Sequence, residues 1–190
     1  MKLILASKSP RRKELLARLY PEFDIITKDV DETLSDGLHP KEGVELLAIR
    51  KGAAVADTES DILVVSSDTL VEKDGTPLGK PADGDDAMRM LKLLSDSWHN
   101  VHTGVAVHYK GRVYSGVSTT RVRFRQITDE EILWYIESGE PMDKAGAYGI
   151  QGLGGRFVSE YDGDYDTVVG LCLTLTETLI NNALAEEKND

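Results

Sequence analysis

Apolar and polar positions along this chain follow two periods, and each change of period marks an element. Leu3–Ile4–Leu5–Ala6 is an unbroken apolar run, the pattern of a strand covered on both faces. Leu15, Leu16 and Leu19 then recur at helical spacing, with Ser9 placed as N-cap and Pro10 at the first helical position. Phe23 to Thr27 reads as a second strand. Pro40 to about Asp57 reads as a helix with Val44, Leu47, Ala48 and Val55 turned inward, and Gly52 inside it carries a helical cost of ~1 kcal/mol that the pattern does not explain. Ile62–Leu63–Val64–Val65 is a third buried run, expected to stop at Ser66, Ser67, Asp68 and Thr69. Asp74–Gly75, flanked by Leu70–Val71 and Pro77–Leu78, is a hairpin signal, and Gly79–Lys80–Pro81 follows it.

In the second half, Asp83 or Asp85 caps a helix whose core stripe is Met88, Leu91 and Leu94. Trp98–Tyr109 and Val113–Phe124 alternate as two strands joined at Lys110–Gly111. His99, His102 and His108 fall in the first of these at a spacing that suits no metal site on a strand, and exposed or edge positions are expected for them. Thr128 to Glu131 forms a capping box before a helix with Ile132, Leu133 and Ile136 facing in. Gly139 to Gly155 holds six glycines and is expected to lack regular structure. Arg156–Tyr161 reads as a last strand, Asp162–Gly163–Asp164 as a turn, and Thr174 with Glu177 as the start of a final helix bearing Leu175, Leu179 and Leu184. The tail, Glu186 to Asp190, is expected to fray. Strands alternating with helices and then pairing as a meander define an α/β fold: a mixed twisted sheet flanked by helices.

Composition narrows the function. At 190 residues the chain can bury one substantial core, or two lobes sharing a sheet. No apolar run approaches the ~20 residues that span a bilayer, and MKLILAS runs straight into SPRR, as a strand does and a signal peptide does not. A single cysteine, Cys172, excludes an intrachain disulfide and a multi-cysteine zinc site. In its apolar context it reads as a small core residue. A cytoplasmic location and no membrane partner follow. The net charge of −11 argues against nucleic acid as partner, so any bound phosphate must meet a few aimed cations.

Those cations can be named. Arg11 and Arg12 lie in the first helical turn, where the macrodipole disfavours positive charge unless an anion occupies the helix start. With Ser7 and Ser9 beside them they make either a polyphosphate cradle or a solvated basic turn. The segment is not a Walker loop, whose glycine pattern is absent. Asp68 is either a turn cap or a rigidly held metal ligand or general base. A hairpin after it would return Lys80 toward Asp68. Asp29, Asp31 and Glu32 read by themselves as a solvated acidic turn. In the glycine-rich segment, Tyr148 could stack on a base or sugar and Gln151 carries the donor and acceptor a pyrimidine edge needs, unless the segment is simply a flexible connection.

Three long stretches, SKSPRRKELL, SSDTLV with its downstream GKP, and EPMDKAGAYGIQG, occur in one order over nearly the whole chain. Together they resemble the Maf family of nucleoside triphosphate pyrophosphatases, in the branch acting on dTTP and UTP. The resemblance implies one Maf-like domain over residues 1–190 with a Maf/ITPase-like fold of two lobes around a central cleft. It implies hydrolysis of a pyrimidine nucleoside triphosphate to the monophosphate and pyrophosphate, a house-cleaning role. Asp68 and Glu32 are then the catalytic carboxylates and the ligands of Mg²⁺ or Mn²⁺. Ser7, Ser9, Arg11, Arg12, Lys51 and Lys80 bind substrate, while Thr69 and Gln151 join Arg11 in base selection. Asp143–Lys144 becomes a salt bridge shaping the loop. Cys172 departs from the proline usual in the family, a change in the core only. A homodimer is left open. Two other readings remain: a nucleotide-binding regulator of septum formation without turnover, and a phosphatase removing the terminal phosphate, whose D-x-D pair is missing here.

Overall fold

In the computed structural model, which describes residues 2–35, 37–57 and 61–186, the chain alternates between strands and helices. Its order is β1 (Lys2–Leu5), α1 (Pro10–Leu19), β2 (Asp24–Ile25), α2 (Pro40–Ala53), β3 (Ile62–Lys73), β4 (Thr76–Leu78), α3 (Gly84–Leu94), β5 (Trp98–Tyr109), β6 (Arg112–Phe124), α4 (Asp129–Glu137), β7 (Val158–Asp162), α5 (Tyr165–Val169) and α6 (Leu173–Glu186). One mixed sheet results, ordered β2-β1-β3-β5-β6-β7, with β4 added to β3. β1 runs parallel to β2 and β3, with Leu3 opposite Leu63 and Leu5 opposite Val65, whereas β4 and β7 pair antiparallel. The expected mixed α/β architecture is therefore the one found.

The chain divides into two compact units; three of the dividing points fall within β3, β5 and β6, and the fourth lies at the end of α5. The first unit gathers residues 1–68, 103–118 and 170–190. Its parallel strands carry the apolar runs: Leu5, Leu63, Val64 and Val65 are completely buried, each contributing on the order of 1.5–3 kcal/mol. The second unit, 69–102 and 119–169, packs α3 and α4 around Phe124, Tyr135, Tyr148 and Phe157. Edge-to-face contacts join these rings, Phe124 to Tyr148 at 4.7 Å and Tyr135 to Phe157 at 5.1 Å between centroids. Both hairpin signals hold: Asp74–Gly75 and Lys110–Gly111 turn the chain with positive φ at both positions, the requirement that places glycine second.

Several elements differ from the sequence reading. β3 does not stop at Val65. Ser66 and Ser67 are completely buried, because the Ser66 hydroxyl bonds the Ala48 and Ala106 carbonyls and that of Ser67 bonds the Gly170 carbonyl. Asp68 thus sits inside a long strand rather than at its end. The second strand shrinks to Asp24–Ile25, the last is Val158–Asp162, and α5 stands where no helix was expected. Gly139–Gly155 contains two short 3₁₀ turns, Glu140–Asp143 and Ala145–Ala147, and the start of a third, Leu153–Phe157. The capping box at Thr128–Glu131 forms as expected, and Arg125 grips Glu131 with two hydrogen bonds of 2.7 and 3.0 Å, holding its carboxyl down to about 2. Within that helix, however, Tyr135 faces inward and Leu133 is 49% exposed. The fraying expected of the tail falls mainly on residues 187–190, outside those described.

The histidines are the clearest correction. His99, His102 and His108 are 3%, 3% and 5% exposed, neither surface nor edge residues. Both faces of β5 are covered, so the alternation that sends 99 and 102 to opposite sides buries both. His102 is satisfied by Glu72 and Thr119, each at 2.8 Å. His99 bonds the Tyr148 hydroxyl at 2.8 Å. That contact removes Tyr148, 5% exposed, from the role of a stacking platform. His108 packs against Gly52, where an added Cβ would come within 2.4 Å of its ring nitrogen and 2.6 Å of the Ser66 hydroxyl. The glycine that periodicity leaves unexplained is what lets α2 lie this close to β3 and β5.

Candidate active site

The first unit collects seven of the ten residues singled out from the sequence. Ser9 caps α1 as expected, its hydroxyl accepting from the Arg12 N–H, with Pro10 in the first turn. The strand-to-helix connection is closed further by Ser7, whose buried hydroxyl accepts from the Ser9 N–H at 3.2 Å and from Arg12 Nη1 at 3.4 Å. Arg12 points back into the protein. Its Nε donates to the Gly170 carbonyl at 2.9 Å and its Nη1 to the Ser67 carbonyl at 2.8 Å. Burial pulls the guanidinium down from its ordinary value and Asp68 pulls the other way, with smaller opposed contributions from Arg11 and Glu32. Arg12 therefore ties α1, β3 and the segment before α6 together next to Asp68. Arg11, partly exposed, makes no hydrogen bond or ion pair among the described residues.

Asp68 and Glu32 meet at one cation. Lys51, from the last turn of α2, places its ammonium 2.5 Å from Asp68 Oδ1 and 2.8 Å from Glu32 Oε1. Lys51 and Asp68 are only 20% and 14% exposed as side chains, while Glu32 reaches in from an exposed loop. A pair of carboxylates from separate segments would repel across this distance, and a positive charge between them removes the penalty. These are hard oxygen donors of the kind Mg²⁺ or Mn²⁺ takes one or two of, filling its remaining positions with water and phosphate oxygens. Among the described residues no group of three or more His, Cys, Asp or Glu side chains gathers. The donor set fits an ion shared with a phosphorylated substrate, not one caged by protein alone.

Thr69, Lys80 and Gln151 belong to the second unit. Thr69 follows Asp68 in β3. Lys80 lies two residues beyond β4, exposed and without an ion pair among the described residues. Gln151 is exposed in the glycine-rich segment, its amide likewise unpartnered among them. Asp143 and Lys144 form the expected ion pair at 2.6 Å. Sequence reasoning missed two groups that organise these surroundings. Gly170, the acceptor for both Arg12 and Ser67, contributes only a backbone carbonyl, which leaves no signal in side-chain patterns. Glu140 carried one: it is the first acid of the glycine run, directly after Gly139.

The fold and the sequence match known proteins at two levels. Two solved Ham1 proteins share the fold: that of Staphylococcus aureus, with a TM-score of 0.53 at 15% identity over 100% of this chain and 99% of the other, and that of Coxiella burnetii, at 0.51 and 13% over 99% of each. Sequence comparison is sharper. The family model described as Maf-like protein matches residues 2–183. Proteins named dTTP/UTP pyrophosphatase are 48% identical in Vibrio cholerae, over 95% of this chain and 97% of the relative, and 49% identical in Halalkalibacterium halodurans, over 92% of each. The chain belongs to the Maf-like protein family.

Proposed function

We propose that this protein hydrolyses dTTP and UTP, and pyrimidine triphosphates modified on the base, to the nucleoside monophosphate and pyrophosphate, acting as one Maf-like domain over residues 1–190 in the cytoplasm. The observation that carries the reading is the convergence of Asp68 and Glu32 on the Lys51 ammonium beside the arginine-bearing start of α1. The relatives named dTTP/UTP pyrophosphatase supply the substrate class. No described helix is long and apolar enough to cross a membrane.

In this reading Asp68 is the general base. It accepts a proton from water as the water oxygen attacks the α-phosphorus. The bond from that phosphorus to the bridging oxygen breaks, and pyrophosphate leaves with the electron pair. Asp68 suits the task because β3 holds it rigidly and Arg12 fixes the carbonyl just before it. Glu32 and Asp68 would hold Mg²⁺ or Mn²⁺, which when bound supplies neutralising charge to the phosphate oxygens. Arg11, Lys51 and Lys80 donate to the triphosphate and offset the charge that grows on the leaving group. Arg11 and Lys80 can do so without breaking a hydrogen bond or ion pair to any described residue; Ser7, Ser9 and Arg12 shape the turn that presents Arg11. Thr69 and Gln151, with Arg11, select the base.

The test is a nucleotide screen with Mg²⁺ or Mn²⁺ that reads pyrophosphate and inorganic phosphate separately, run on the native protein and on Asp68→Asn. Pyrophosphate release from dTTP and UTP is expected, reduced by about 10²–10⁴-fold in the variant and abolished by a chelator. Inorganic phosphate as first product would point to a terminal phosphatase. Tight nucleotide binding without either product would point to a regulator.

A further inference from the structure

Within the second unit, the segment that carries Gln151 is gripped from below. Gly149 donates its N–H to the Tyr135 hydroxyl at 3.3 Å, and Leu153 and Gly154 donate theirs to the two oxygens of Glu140 at 2.9 and 3.1 Å. Tyr135 in turn donates its hydroxyl to Glu140 Oε1 at 2.8 Å. One phenol and one carboxylate thus fix the backbone on both sides of Gln151, while the glutamine itself stays exposed at the tip.

Close packing makes the grip specific. A Cβ at Gly152 would stand 2.4 Å from Glu140 Oε2, and one at Gly154 would stand 2.6 Å from the Tyr135 hydroxyl. The glycines flanking Gln151 let the backbone press onto these two side chains, which is the opposite of a loose connection. Burial pushes the Glu140 carboxyl up, but the N–H groups of Leu153 and Gly154, the Tyr135 hydroxyl and Lys144 outweigh it and hold it ionised. Tyr135 is fully buried, and burial followed by Glu140 keeps its hydroxyl protonated, a permanent donor. An ionised acceptor with three short donors is a strong and directional anchor.

We infer that Glu140 and Tyr135 are positioning residues for nucleobase selection, holding the Gly149–Gly154 backbone so that Gln151 meets the pyrimidine edge in one fixed pose. The inference rests on the base-selecting role proposed above for Gln151. A hydrogen-bonding selector discriminates only as well as it is held, because a displacement of about 1 Å costs up to 10²-fold. Neither residue touches the reacting phosphates in this scheme, so their loss should spare turnover at saturation.

The experiment compares Glu140→Gln, Tyr135→Phe, Gln151→Ala and the double variant Glu140→Gln/Gln151→Ala by steady-state kinetics with dTTP and dGTP. Glutamine keeps the shape of Glu140 but turns an amide toward backbone N–H groups. Each single variant is expected to lower the dTTP-to-dGTP ratio of kcat/KM by about tenfold or more, and for Glu140→Gln and Tyr135→Phe the loss should come through KM for dTTP, with kcat changed less than about threefold. The double variant should discriminate no worse than Gln151→Ala alone, because Glu140 acts through that residue. Should Glu140→Gln fail to fold, Tyr135→Phe carries the same test through a nearly isosteric change. If Gln151→Ala loses discrimination while Glu140→Gln and Tyr135→Phe keep it, the positioning role falls and the selector stands. If Gln151→Ala itself keeps discrimination, both fall. Equal losses in kcat for both nucleotides would show a purely structural role and overturn the inference.

Discussion

Lys51 and Asp68 form a contact ion pair at 2.5 Å. Glu32 completes the arrangement from the other side. If Glu32 and Asp68 hold the divalent cation as proposed, lysine and metal compete for the same two carboxylates in the absence of nucleotide. Lys51→Met removes the competitor, and contact between unit charges is worth on the order of 1 kcal/mol or more even in high dielectric. The variant should therefore bind Mn²⁺ at least about fivefold more tightly in the absence of nucleotide, measured by calorimetry, while losing affinity for dTTP. Unchanged Mn²⁺ affinity would mean that Glu32 and Asp68 are not the metal ligands.

Gly52→Ala puts a methyl group into the ring of His108 and the hydroxyl of Ser66. Helix propensity alone favours alanine by ~1 kcal/mol, but overpacking of a tight interface costs about 1–3 kcal/mol, so the net change should be destabilising. Urea unfolding would measure it. In a His108→Ala background the penalty should shrink, since much of the obstruction is gone. A stabilising Gly52→Ala in the native background would contradict the packing described for α2.

Arg12→Lys tests the clamp on β3. The guanidinium satisfies two carbonyls at once, and a single ammonium on a shorter fork cannot reproduce both angles. A hydrogen bond from a charged donor is worth about 1.5–3 kcal/mol, and at Gly170 only the bond from the Ser67 hydroxyl would remain among the described residues. The variant should unfold at lower urea and release pyrophosphate more slowly at saturating dTTP, because the backbone preceding Asp68 is no longer fixed. Native stability in the lysine variant would refute the clamp.

How far these features could be read from sequence depends on what kind of atom makes them. The helix start at Ser9–Pro10, the Thr128–Glu131 box and both Asp/Lys–Gly turns are local, and side-chain chemistry over four residues specifies them. The parallel core strands follow from apolar runs that have no other place to go. The histidines of β5 and the length of β3 were not legible. Buried Ser66, Ser67 and His102 look polar in a sequence, and only distant partners such as Gly170 and Glu72 make them acceptable inside. Of the site, the acids and cations were visible by residue type. That Arg12 turns inward while Arg11 does not was invisible, because the acceptors are main-chain carbonyls.

Stability should depend on pH through His99. Burial, with Lys73 adding to it, holds its imidazole down to about 3 from an ordinary 6.5. Between these values the unfolded chain takes a proton that the folded chain refuses. The contribution is therefore complete above pH 6.5 and is lost as pH falls toward 3, by up to about 1.4 kcal/mol per pH unit. Relative to native protein, His99→Gln should flatten the urea midpoint between pH 6.5 and 4.5. Parallel curves for the two proteins would rule His99 out as the source.

The Arg12 clamp also has a consequence for when the turn it holds can be completed. Its acceptor at Gly170 is made 158 positions after the arginine, once all seven strands listed above have been synthesised. A nascent chain that has not yet reached Gly170 can form β1, α1 and the apolar part of β3, yet lacks the carbonyl that finishes their alignment. Alignment of the turn that carries Arg11 would then wait for a carbonyl made long after it, a delay written into chain order.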